Sequence, residues 1–145
     1  MANTKFAIPY AGRWLLWSFN DYVDANGNPI QNWRGTVSDT VRAAFDAKVD
    51  ILHGLPPAQV RRPLVGKLEG YEDVYELRFK EEGIAWRILF CFGPDRQDIT
   101  FLFPAREVND RFEPLAAPAI AAERAARVRS SDSQRYTYVT EHDRS

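Results

Sequence analysis

The sequence predicts a small α+β domain in which one amphipathic helix precedes an antiparallel run of strands and a second helix follows it. Three observations carry this. Val41, Phe45, Val49 and Leu52 recur at spacings of four, four and three, which places them on one helical face. Val74 to Lys80 alternates strictly between apolar and polar, as a half-buried strand does. Ile84 to Phe92 follows after Glu81-Glu82-Gly83, a spacing that closes a tight hairpin. With 145 residues, 45% of them hydrophobic, the chain has enough apolar surface for one core without a metal or a disulfide. Residues 1–128 read as that domain and 129–145 as a polar tail.

In chain order, Arg13 to Phe19 is short, apolar and tryptophan-rich, and reads as the first strand. Asn20 to Gly35 reads as a loop, because Asn26-Gly27-Asn28-Pro29 is turn chemistry and Pro29 and Gly35 oppose a helix. The amphipathic helix opens at Thr36 or Ser38, either of which can cap it, with Asp39 at the positive end of its dipole. Gly54 and Pro56-Pro57 stop it. Ala58 to Pro63 is either a short helical turn or an extended link, and a turn at Glu69-Gly70 follows Val65 to Leu68.

If Glu82-Gly83 forms the hairpin turn, Phe79 pairs with Trp86, Leu77 with Ile88 and Tyr75 with Phe90 on one face. Arg78 then lies opposite Arg87 on the other, and a one-residue slip would set apolar against polar side chains. Asp98 to Phe103 reads as the last strand. Continued alternation would put Arg106 on the side of Thr100 and Leu102. The final helix runs from about Pro118 to Val128. The tail is mobile unless Tyr136, Tyr138 and Val139 dock as a strand.

Composition excludes several classes. No apolar run approaches the roughly 20 residues of a membrane span. Met1 to Tyr10 lacks the apolar stretch of a signal peptide. The single cysteine, Cys91, has no partner for an internal disulfide, so a cytoplasmic protein is expected. A glycine-rich phosphate loop, paired cysteines and a histidine pair at metal spacing are all missing, so no metal or cofactor is expected. Net charge is −1, from 19 basic and 20 acidic side chains. A nucleic-acid binder is expected to carry a basic excess, so any such role needs positive charge gathered locally.

That charge gathers at Arg78, Lys80 and Arg87, with Arg106 as a further candidate. Arg87 is the sole charge in a strand otherwise suited to burial. Two facing guanidinium groups repel unless something anionic lies between them. Pattern alone leaves two readings level: an ion-pair network with Glu76, or a site for a phosphate, whose oxygens suit the arginine fork. His53 reads as a dipole partner at its helix end, and Cys91 as a buried inert thiol.

The run from Leu64 to Lys80 (LVGKLEGYEDVYELRFK) and Gly83 to Phe90 (GIAWRILF) resembles the RelE/HigB superfamily of toxin–antitoxin toxins, in particular the phage-derived HigB-like branch. Lys67, Leu68, Gly70, Glu76, Leu77, Arg78, Gly83 and Arg87 fill that family's pattern. The resemblance implies a RelE- or microbial-RNase-like antiparallel sheet with helices packed on one face and a cationic face opposite. It implies a metal-independent endoribonuclease that cleaves mRNA on the ribosome and is held inactive by a helix-turn-helix antitoxin. Arg78, Lys80 and Lys67 would then hold phosphate and Arg87 would stabilise the developing charge. Glu76 would accept a proton, and Arg106 would match the basic residue after the last strand. The chain departs from the pattern in two respects: only one basic residue follows the last strand (Phe103-Pro104-Ala105-Arg106) where two are common, and Phe112 stands where a proton-transferring ring is expected. Phe112 and the balanced charge keep a second reading in view, a non-catalytic phage- or prophage-derived binding module on the same fold. A ParE-like gyrase inhibitor is a third, which no residue selects.

Overall fold

The computed structural model describes residues 8–10, 13–15, 17–130 and 134–137, with side chains for 17–130. The reading of Met1 to Tyr10 falls mostly on residues 1–7. These residues, together with Tyr138, Val139 and His142, lie outside the described residues.

The α+β class holds. A short hairpin, β1 (Ile8–Tyr10) and β2 (Arg13–Leu15), stands apart from one sheet in the order β4-β5-β6-β7-β3-β9. These strands are β3 (Ser18–Val23), β4 (Val65–Lys67), β5 (Tyr75–Glu81), β6 (Ile84–Phe92), β7 (Asp98–Val108) and β9 (Gln134–Thr137). A short β8 (Arg111–Glu113) pairs with the far end of β7. The first strand expected from Arg13 to Phe19 is therefore two strands, one ending at Leu15 and the next beginning at Ser18. Gln134–Thr137, in the tail, docks antiparallel on β3.

Two features differ from the expected sheet. It is mixed, because β3 runs parallel to β7 over Ser18 to Asp21. Its helices lie on both faces. On one face α1 (Pro29–Arg34) and α2 (Asp39–His53) cover Phe19, Leu77, Phe79, Trp86, Ile88, Phe90, Ile99 and Phe101. On the other, α3 (Ala117–Ser130) lays Ala117, Ala121, Ala125 and Val128 over Leu89, Cys91, Leu102 and Ala105. Small residues let that helix sit close. Arg124 fastens it, resting against the Tyr22 and Phe103 rings and donating to the Leu102 carbonyl at 2.7 Å.

The stretch read as a loop holds α1. Asn28 caps it by accepting from the Gln31 N–H at 3.0 Å, Pro29 fills the first turn, where no N–H is needed, and Gly35 ends it. The two residues taken as breakers are the helix's boundaries. α2 behaves as its sequence dictates. Val41, Phe45, Val49 and Leu52 are buried, Ser38 is the cap, and Gly54 the stop. Ser38 Oγ accepts from the Val41 N–H and donates to Glu82 at the tip of the β5–β6 hairpin, 2.8 Å away. Pro57–Gln59 forms one turn of 3₁₀ helix. His53 is buried with its ring against Phe19. No described helix is long and apolar enough to cross a membrane.

Candidate functional site

The β5–β6 hairpin fixes the centre of the site. Glu82 and Gly83 both take positive φ (56° and 76°), the turn that suits the twist of two-residue hairpins. The register follows as the alternation requires: Phe79 opposite Trp86, Leu77 opposite Ile88, Arg78 opposite Arg87. The charged positions all fall on the face shared with Leu89, away from the aromatic core.

Between the facing guanidinium groups sits Glu76, whose side chain is only 7% exposed. Its Oε2 accepts from Arg78 Nη1 at 2.5 Å, and its Oε1 lies 3.8 Å from Arg87 Nε. Burying a carboxylate is costly unless it is paired, and here guanidinium groups flank it. Arg62, on the link before β4, brings a further guanidinium to 4.0 Å. On the neighbouring strand Gly66 pairs with Glu76, and a Cβ there would stand 2.8 Å from Oε2. The glycine is what makes room for the carboxylate.

β7 supplies an unexpected member. Leu89 pairs with Phe103 but Phe90 with Phe101, so Leu102 is an extra residue and the alternation shifts by one. The irregularity falls just before Pro104, which cannot donate to the ladder. Beyond it, Glu107 rather than Arg106 reaches the charged face. Glu107 Oε1 takes Arg87 Nε and Nη2 at 3.1 and 2.9 Å. The expected place of Arg106 is thereby corrected: it pairs with Trp86 in the register and ion-pairs with Glu113 on β8 at 2.5 Å.

In front of Glu76 and Arg78 lies a cleft of about 560 Å³. Arg62, Lys67, Glu69 and Tyr71 border it on the β4 side, and Glu107, Asp110, Arg111, Phe112 and Pro118 on the β7–β8 side. Lys67 donates to the Tyr71 carbonyl at 3.4 Å and lies near the Tyr75 ring. Lys80 shares the face but is exposed near the hairpin tip and does not line the cleft. Arg87, 8% exposed, lies behind Glu76 and does not line it either. Arg62, Tyr71, Glu107, Asp110 and Arg111 were not singled out from sequence. They come from loops, from a short hairpin and from beyond the bulge, where no periodicity points to them.

Cys91 is fully buried under α3, and burial pushes its thiol up to about 12, so it is inert at neutral pH. Among the described residues no group of His, Cys, Asp and Glu side chains is arranged to hold a metal ion.

Residues 32–103 match the model of a family described as phage derived protein Gp49-like (DUF891). Over that stretch the chain is similar to a toxin-like family of the RelE/Gp49 superfamily. The match spans Arg62, Lys67, Glu76, Arg78 and Arg87 and stops before Glu107 and β8. No curated protein and no solved structure matches.

Proposed function

We propose that this chain is the toxin of a toxin–antitoxin pair and cleaves mRNA on the ribosome, with its cleft as the active site and a helix-turn-helix antitoxin as its inhibitor. The observation that supports it best is the Glu76 carboxylate, buried at the cleft floor beside the Arg78 guanidinium. RNA cleavage without a metal needs a base for the ribose 2′-hydroxyl and positive charge around the phosphorus. Glu76 takes the 2′-proton as the 2′-oxygen bonds to phosphorus. Arg78, with Arg62 and Arg111 from opposite rims, holds the phosphate oxygens. The bond to the 5′-oxygen breaks, leaving a 2′,3′-cyclic phosphate, and the departing oxygen takes a proton. Tyr71 carries the one hydroxyl among the cleft-lining side chains and is our candidate donor. Lys67 and Lys80 would serve the flanking backbone.

A second reading, a non-catalytic binding module, draws on one observation. Four basic residues in the lining (Arg62, Lys67, Arg78, Arg111) face four acidic ones (Glu69, Glu76, Glu107, Asp110). A balanced cleft attracts a polyanion less than a basic one does. One assay separates the two readings: mRNA integrity in a translating extract given the protein, Glu76→Gln or Arg78→Ala. Cleavage by the parent that either substitution abolishes supports the nuclease. Intact mRNA with the parent, alongside a stable complex with the neighbouring gene's product, supports the module.

A further inference from the structure

We infer that Arg87 and Glu107 are positioning residues, which hold the Glu76 carboxylate in place from behind and touch no phosphate themselves. The inference rests on the nuclease reading and reassigns the arginine that lies deepest in the sheet.

The geometry of Arg87 carries it. Nη1 donates to the Trp86 carbonyl at 2.9 Å, Nη2 and Nε both engage Glu107 Oε1, and the Nε edge faces Glu76 Oε1. Each nitrogen of this guanidinium has a protein partner, and the residue is 8% exposed and does not line the cleft, so its two remaining N–H groups have no open path to a phosphate there. To reach a phosphate it would have to leave the Trp86 carbonyl or Glu107 and emerge past Glu76. Arg78, Arg62 and Arg111, by contrast, open onto the cleft.

The same geometry leaves Glu76 little freedom. Arg78 holds one oxygen, with Arg62 4.0 Å from it, and Arg87 faces the other. Glu107 completes a chain of alternating charge, Arg78–Glu76–Arg87–Glu107, that crosses β5, β6 and β7. It stands there because of the bulge at Leu102, so an irregularity in the last long strand determines how firmly the base on β5 is held. A reacting group misplaced by about 1 Å can lose on the order of a hundredfold in rate, which is what such a chain would guard against.

The full chain and its Arg87→Ala, Arg87→Lys, Glu107→Gln and Arg78→Ala variants are compared in two assays. One is the rate of mRNA cleavage on translating ribosomes as substrate is varied. The other is affinity for a single-stranded oligodeoxynucleotide, which offers phosphates but no 2′-hydroxyl. We expect Arg87→Ala and Glu107→Gln to lower kcat by about 10- to 100-fold with KM little changed, and oligodeoxynucleotide affinity not to fall. Arg87→Lys recovers part of kcat, because an ammonium still pairs with Glu76. Arg78→Ala weakens the oligodeoxynucleotide by about tenfold. Glu107 is half-exposed, so Glu107→Gln decides the matter if Arg87→Ala does not fold. A rise in KM with kcat intact, a loss of oligodeoxynucleotide affinity in Arg87→Ala, or unchanged kcat in Glu107→Gln overturns the inference and leaves the nuclease reading standing. A parent chain that cleaves nothing overturns both.

Discussion

The two faces of the sheet are held by different physics. Under α1 and α2 the face is a continuous aromatic and aliphatic layer, with Phe45 meeting Trp33 and Phe101 edge to face. On the opposite face α3 covers only the part around β6 and β7 with alanines, and the part over β4 and β5 is left to Glu76 and its arginines. A layer of rings is non-directional and tolerates small shifts, whereas an ion chain keeps its value only at fixed distances. Stability is therefore concentrated on one face and geometric demand on the other, a division that the proposed nuclease would require.

That contrast can be broken most severely from the aromatic side. Phe45→Ala empties the centre of the helix-covered face and should cost about 3–5 kcal/mol, read as a fall in the denaturant midpoint. A next effect concerns β3, where Asp21 is fully buried. Burial drives its carboxyl from 3.8 to about 6, against the lowering effects of hydrogen bonds from Gln31 and Asn28 and of the Arg34 charge. The folded protein holds this proton more tightly than the unfolded chain does. The resulting stabilisation is complete below pH 3.8 and is lost as pH rises through 6. The swing is on the order of 3 kcal/mol. Asp21→Asn should flatten this part of the stability-versus-pH curve, and an unchanged slope would show that the group does not titrate in this window.

The opposite face should respond with little change in stability and a large change in function. Gly66→Ala pushes on the Glu76 carboxylate, the movable end of a side chain, so unfolding should shift by roughly 1 kcal/mol while cleavage falls far more. Equal losses in both would mean that the charged face is merely structural. The smallest effect is at the edge of the aromatic face: Ser38→Ala removes the α2 cap and should cost about 1 kcal/mol in thermal unfolding.

Legibility in the sequence followed the same division. The hairpin register was readable because strict alternation and a Glu-Gly turn agree, and α2 because its period, cap and stop agree. α1 was misread by weighing Pro29 and Gly35 as breakers when Asn28-Pro29 is also a cap followed by a first-turn proline. β8 escaped because its turn, Asn109-Asp110, takes positive φ at both residues without a glycine to announce it. Asn and Asp tolerate that conformation well enough to have served as a signal. The placement of Arg106 failed at a single inserted residue, Leu102, since alternation cannot be carried across a bulge. Fold class and the Arg78–Arg87 meeting were thus accessible to local rules. The cleft was not, because its rims come from segments distant in sequence.

Ser38 carries one more consequence. A hydroxyl has both a lone pair and a proton to offer, and this one gives the first to its own helix and the second to a turn 44 residues later. Whatever frays the start of α2 therefore also releases the tip of the β-ribbon that carries the arginines. Backbone amides on either side of that bond should exchange with solvent as one cooperative unit rather than two.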